Sequence, residues 1–248
     1  METVMKINIR GIYFDNLTLS ETVELILARL NKGEQTAVFT PNSEIVQSCI
    51  EDNSLYEVIN SAEVVCPDGI GVVKAAKILQ TPLKGKVAGI EVGERLIASL
   101  TDGSKSIFFM GSKPGVAEKA AEELQRKYPG IVVAGTNDGY FKKEGAENDA
   151  VIEKINASGA DVLFVCLGAP AQEKWIYANR GRLNVTVMLG LGGSLDGYAG
   201  VVKRAPAIFI KLGLEWFYRL LCEPWRFKRM LKLPKFYFGT LRFKLTGK

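Results

Sequence analysis

Short apolar or β-branched runs alternate with longer amphipathic stretches through the first 200 residues. The runs are Ala37-Val38-Phe39 with Thr40, Val64-Val65-Cys66, residues 107–110, Ile131-Val132-Val133, residues 162–165 and residues 185–189. Strands this apolar are covered on both faces. Between them the pattern turns helical, with readable starts and stops. Thr18-x-x-Glu21 forms a capping box ahead of an apolar stripe over 23–30, and Pro114-Gly115 opens a helix that stops near Pro129-Gly130. The βαβα alternation predicts a Rossmann-like α/β fold, with a largely parallel sheet and helices on both faces. Beyond Gly200 the pattern changes: residues 205–221 read as one helix with a broad apolar surface. Residues 225–233 and 235–245 read as short amphipathic pieces after Pro224. The predicted organisation is a catalytic domain over 1–200 and a helical appendage over 201–248.

Charge divides the chain at the same place. Residues 201–248 carry 12 Lys/Arg against Glu215 and Glu223, a net of +10, and leave a net of −5 for residues 1–200. The appendage also holds 10 of the 23 aromatic residues, Trp216 and Trp225 among them. Rings interleaved with cations suit the headgroup region of an anionic bilayer. The competing readings are a helical lid packed on its own domain and a nucleic-acid surface; membrane contact is favoured and nucleic acid is not expected. The same apolar helices also offer a surface for pairing with a second subunit. No stretch reaches the ~20 apolar residues of a spanning helix and no signal peptide opens the chain, so a cytoplasmic protein peripheral to the inner face of the membrane is expected. Cys49, Cys66, Cys166 and Cys222 are widely spaced and suggest neither a disulfide framework nor a zinc cluster.

In an open parallel sheet, ligands bind beyond the carboxyl ends of the strands. The segments that follow the runs are polar and glycine-rich: Thr40-Pro41-Asn42-Ser43, Pro67-Asp68-Gly69, Gly111-Ser112-Lys113-Pro114-Gly115, residues 135–141, Gly168-Ala169-Pro170-Ala171-Gln172-Glu173 and residues 190–196. The 111–115 loop runs into a helix whose N-terminal N–H groups suit a phosphate, although such glycines also serve simple turning. Neither a P-loop nor Gly-x-Gly-x-x-Gly is present, because position 195 is Leu. A dehydrogenase is disfavoured accordingly. The chain has no histidine and no Asp-x-Asp, which removes the commonest general base and a common metal-pyrophosphate motif. A metal-free, cofactor-free site is therefore expected. Asp68, after an apolar strand and between Pro67 and Gly69, reads equally well as a base with a raised pKa or as the cap of the next helix.

These segments resemble the WecG/TagA/CpsF bacterial glycosyltransferases over essentially the whole length. The match rests on Thr40-Pro41-Asn42, Asp68-Gly69-x-Gly71, Gly111-x-Lys113-Pro114-Gly115, Gly139-Tyr140-Phe141 and Gly168-x-Pro170-x-Gln172-Glu173-Lys174-Trp175. It continues through Asp196-x-x-Ala199-Gly200 to the block from Gly213-Leu214-Glu215-Trp216 to Glu223-Pro224-x-Arg226. The resemblance implies transfer of a sugar, N-acetylmannosamine in the nearest branch, from a UDP-sugar to an undecaprenyl-diphosphate-linked N-acetylglucosamine, on the way to wall teichoic acid. It implies that Asp68 is the base of an inverting reaction and that Thr40, Asn42 and Gln172 line the reacting sugars. It places Gly111, Ser112, Tyr140, Gly192, Gly193 and Asp196 around the UDP. Lys86 stands where the family usually has Arg; its ammonium supplies charge without a bidentate fork. In a metal-free site the departing diphosphate needs cationic donors, and Arg219, Arg226 and Arg229 suit that role if the appendage folds over the site. A UDP-sugar sensor without catalysis and a nucleotide-dependent redox or hydrolytic enzyme are the alternatives from other classes.

Overall fold

The structure is a computed structural model. It describes residues 4–202, 205, 206, 208, 209, 212, 214–222, 224 and 227–247, with the backbone alone at 219 and 228. An antiparallel hairpin, β1 (Lys6–Ile9) and β2 (Ile12–Asp15), precedes the main sheet. The sheet itself comprises β3 (Thr36–Phe39), β4 (Val64–Val65), β5 (Ser106–Gly111), β6 (Val132–Asn137), β7 (Val162–Cys166) and β8 (Val187–Gly190). Its order is β4-β3-β8-β7-β5-β6, and every neighbouring pair is parallel. The six apolar runs are thus the six strands. The hairpin was not among the predicted strands, although Ile7, Ile9, Ile12 and Phe14 alternate with polar neighbours around a two-residue turn and all point into the core.

All strands of the main sheet but the partly exposed edge strand β6 bury both faces, and their consecutive residues enter different cores. Ala37, Phe39, Phe108, Met110, Leu163, Val165 and Met188 belong to one, together with apolar residues of α2 (Ser43–Glu51), α3 (Asn53–Asn60), α4 (Ile70–Ile78), α7 (Ala146–Ala157) and α8 (Ala171–Asn179). Val38, Ile107, Phe109, Phe164, Val187 and Leu189 belong to the other, with α1 (Leu19–Asn31), α5 (Gly89–Ala98), α6 (Val116–Lys127) and α9 (Ser194–Tyr198). Phe39, Phe108, Phe109 and Phe164 are fully buried, each contributing about 1.5–3 kcal/mol. The predicted capping box closes the start of α1: Thr18 Oγ1 accepts from Glu21 N–H while Glu21 accepts from Thr18 N–H.

The appendage departs from the expected single helix over 205–221. Leu214 N–H donates to Phe209 O at 2.8 Å, the backbone bond that closes a helix end, and Leu214 O then accepts from Phe217 and Tyr218 to start a new one, α10 (Glu215–Cys222). The expected alignment of Lys211, Glu215 and Arg219 on one face involves Lys211 and the Arg219 side chain, which lie outside the described residues. After α11 (Phe227–Met230) comes α12 (Lys232–Thr246), which runs straight through Pro234 because a proline in the first turn sacrifices no helical hydrogen bond. This last helix packs on α2 and α4. Phe236 enters the core, Lys232 and Lys235 pair with Glu51, and Lys232 donates to Ser48 Oγ. These cations and Gln47 hold the Glu51 carboxyl down at about 2. No helix among the described residues is long and apolar enough to cross a membrane.

Phe236→Ala should lower stability by about 3–5 kcal/mol in urea unfolding. It should also accelerate amide exchange in α2, where an independent appendage would leave α2 unaffected.

Candidate active site

The strand register brings Phe39, Val65, Gly190, Val165 and Gly111 to one edge of the sheet, so their following loops converge. The helices after β3 and β7 leave toward one core and those after β8 and β5 toward the other. The loops diverge accordingly and open a crevice at the middle of the edge.

On one side of that crevice stand Thr40, Asn42 and Asp68. Thr40 is buried, its Oγ1 3.4 Å from Gly190 O. Asn42 caps α2, its Oδ1 accepting from Glu44 and Ile45 N–H at 3.0 and 3.1 Å, which leaves its amide nitrogen for a ligand. Asp68 N–H donates to Pro41 O, which ties the β4 loop to the β3 loop. The Asp68 side chain is not the cap of α4; that helix starts from Gly69 with no side-chain cap. The half-buried carboxylate thus sits at the edge with its capping alternative removed.

The other side is a cluster of backbone turns. Gly111 has φ +131° and lies so close to β7 that a Cβ there would meet Cys166 O at 2.3 Å; no other residue fits. It delivers Ser112, whose hydroxyl donates to Asp196 Oδ1 at 2.6 Å and joins the β5 loop to the start of α9. Gly139 N–H donates to Ser112 O, which adds the β6 loop, and from that loop Tyr140 projects with 70% of its surface exposed. No side chain caps α6. Gly192 and Gly193 form the turn between β8 and α9, and Gly192 N–H donates to Gln172 Oε1 at 2.8 Å. Gln172 is only 3% exposed, and its amide nitrogen donates to Glu173 Oε1, so in this state it braces the turn from below.

Glu173 was quoted within a motif but not singled out from the sequence. Its carboxyl is 1% exposed, its Oε2 has no hydrogen-bond partner, and burial raises its pKa above the ordinary 4.5. Nothing in its one-letter environment signals that depth, because α8 has little amphipathic contrast. Lys86 Nζ is paired with Glu215 Oε2 at 2.8 Å, a bond between the α4–α5 connection and α10. Arg229 Nε lies 2.6 Å from Glu44 Oε1, in the first turn of the helix that Asn42 caps. Arg226 and the side chain of Arg219 lie outside the described residues. A cavity of about 380 Å³ opens beside Gly193, lined also by Ile90, Glu94, Lys127, Tyr198 and Glu215; Asp68 does not line it. Cys49, Cys66 and Cys166 are buried free thiols and Cys222 is exposed.

The profile of the WecG/TagA/CpsF glycosyl transferase family matches residues 7–248. The chain belongs to that family. It is 38% identical over 205 residues to the N-acetylglucosaminyldiphosphoundecaprenol N-acetyl-beta-D-mannosaminyltransferase of Bacillus subtilis (strain 168), covering 83% of this chain and 78% of the relative. It is 37% identical over 230 residues to the enzyme of that name from Bacillus spizizenii, and 36% over 241 residues to the one from Staphylococcus aureus (strain NCTC 8325 / PS 47). Those matches cover 93% and 96% of this chain and 88% and 93% of the relatives. As a member, the chain is a glycosyltransferase.

A carboxyl whose folded pKa is raised takes up a proton on folding. Its contribution is complete below 4.5 and declines as pH rises through the folded value. The stability difference between wild type and Glu173→Gln, followed by urea unfolding across pH 4 to 8, should therefore grow in favour of the variant as pH rises. A pH-independent difference would mean that Glu173 is ionised in the folded protein.

Proposed function

We propose that this glycosyltransferase moves N-acetylmannosamine from UDP-N-acetylmannosamine to undecaprenyl-diphosphate-linked N-acetylglucosamine, with inversion and without a metal ion, to build the linkage unit of wall teichoic acid. The observation that carries the reading is the placement of Asp68: its backbone N–H is tied to Pro41 O in the loop that also carries Thr40, at the sheet edge, and its side chain does not cap α4. The names of the relatives supply the substrates.

In this reaction an acceptor hydroxyl oxygen forms the new bond to the anomeric carbon as the bond to the UDP oxygen breaks. The hydroxyl proton passes to the Asp68 carboxylate and UDP departs with the bonding electrons. Thr40 and the Asn42 amide orient sugar hydroxyls. The turns at Gly111-Ser112 and Gly192-Gly193 supply backbone N–H groups to the nucleotide, and Tyr140 covers it. Gln172 acts by fixing Gly192, so it is a positioning residue as well as a candidate sugar contact. The cavity beside Gly193 is walled by Glu94, Lys127 and Glu215, with Glu94 paired to Lys127 and Glu215 to Lys86, a mixed polar lining that offers partners to ribose or sugar hydroxyls. Charge on the leaving group falls to cations of the appendage. Arg229 already reaches the rim through Glu44, and Lys86 joins that rim through Glu215. Residues 201–248 would thereby bind the anionic inner face of the membrane, where the lipid acceptor resides, and complete the site on the same surface.

Asp68→Asn should lower turnover about 10²–10⁴-fold while UDP binding, measured by calorimetry, stays within a few-fold. A panel of UDP-sugars with a short-chain lipid-diphosphate acceptor should show activity with the N-acetylmannosamine donor in EDTA. Loss of that activity in EDTA would overturn the metal-free reaction, preference for another donor would reassign the sugar, and full activity of Asp68→Asn would remove the base.

A further inference from the structure

Away from the crevice, a second cavity of about 360 Å³ lies between the tip of the β1–β2 hairpin and α12, lined by Arg10, Gln47, Ile50, Lys235, Gly239 and Arg242. Arg10 occupies the hairpin turn with φ +54°, followed by Gly11 at φ +93°. This two-residue turn favours Asn-Gly, and a bulky side chain in the left-handed region is strained. The turn is nevertheless held firmly. Tyr56 Oη donates to Arg10 O, Asn60 Nδ2 donates to Gly11 O, and Gly11 N–H donates to Asn8 Oδ1. The guanidinium that the turn presents lies on the Phe243 ring, 5.1 Å from its centroid, and passes close to Gly239.

That guanidinium is incompletely satisfied. Arg10 Nη1 is buried and has no hydrogen-bond partner. Arg242, across the cavity, forms no ion pair among the described residues, and Lys235 shares the single carboxylate of Glu51 with Lys232. Nη1 itself is closed against Gly239, so a ligand in the cavity would meet the remaining guanidinium nitrogens of Arg10, whose charge suits a phosphate. The same helix is apolar where it faces outward. Phe238 is 67% and Leu245 84% exposed, on the side opposite Phe236 and Thr240, and Arg242 and Lys235 lie along one border of that stripe.

We propose that this cavity is a lipid-headgroup site, in which Arg10 and Arg242 grip the phosphate of an anionic phospholipid while Phe238 and Leu245 enter the interface beside it. The proposal rests on the membrane-surface reading above and adds to it a defined anion site, distinct from the donor crevice. It also gives the arginine in this strained turn a role: the hairpin fixes the guanidinium at the height of the headgroup.

The test is flotation of the full chain with vesicles of phosphatidylcholine alone or mixed with phosphatidylglycerol, at an ionic strength of about 0.5 M, where diffuse surface attraction is largely screened. Wild type should prefer the phosphatidylglycerol vesicles. Arg10→Gln and Arg242→Gln should each lose about tenfold of that affinity and keep the binding to phosphatidylcholine. Lys244→Gln, on the far border of the stripe, should retain the preference. Arg242 is exposed and forms no ion pair among the described residues, so its variant folds even if Arg10→Gln does not. Equal losses in all three variants, or no preference in wild type, would overturn the site and leave the membrane reading standing. Failure of wild type to bind either vesicle would overturn both. A rise in melting temperature with inorganic phosphate that Arg242→Gln abolishes, without any vesicle preference, would assign the cavity to a free phosphate and overturn the lipid source.

Discussion

A parallel strand buried on both faces can be followed by another only through a crossover, and the crossover has to cover the face it passes. In this chain five crossovers join the six strands of the sheet. Each strand sends alternate side chains into two cores, and each crossover contributes a helix to one of them. Because the strands run together, all the loops that leave their carboxyl ends meet at one edge. The polar, glycine-rich segments that carry the candidate residues are those loops, so the requirement to bury Phe39, Phe109 or Phe164 also assembles the candidate active site.

Within the edge, a few short contacts convert proximity into geometry. The Ser112 to Asp196 hydrogen bond and the Gln172 to Gly192 brace join the loops of β5, β7 and β8. The Asp68 to Pro41 backbone bond joins those of β3 and β4. Below them lies Glu173, a buried carboxyl with one oxygen unpaired. Its burial favours the protonated form, and Gln172 is the hydrogen-bond partner that transmits its position upward to the turn.

The appendage is bound into this architecture at both ends of its described course. Lys86 holds Glu215 at the start of α10, and α12 lays Phe236 into the core beside α2, the helix that Asn42 caps. Docking and exposure divide the helix: one face anchors to the domain through Phe236 and Thr240, and the other carries exposed aromatic and aliphatic side chains bordered by cations. The lid and the membrane-facing helix considered from the sequence are therefore compatible, since they use different faces of the same element.

Local chemistry was legible without coordinates where it repeats with a short period or recurs at a fixed spacing. The six apolar runs, the Thr18 capping box and the loops that carry Thr40, Asp68 and Ser112 are of that kind, because strand burial and helix capping act over a few residues. The hairpin's alternation was present too, but it is brief and its Arg10-Gly11 turn is atypical. Tertiary structure alone decided what depends on partners distant in sequence. It decided that Asp68 is not spent as a cap, that Lys86 meets Glu215 across 129 positions, that Arg229 meets Glu44 across 185, and that the last helix folds back onto α2. It also decided which polar atoms are left without partners. Burial of Glu173 Oε2 and of Arg10 Nη1 is a property of the packed surroundings, and no pattern of neighbours along the chain encodes it.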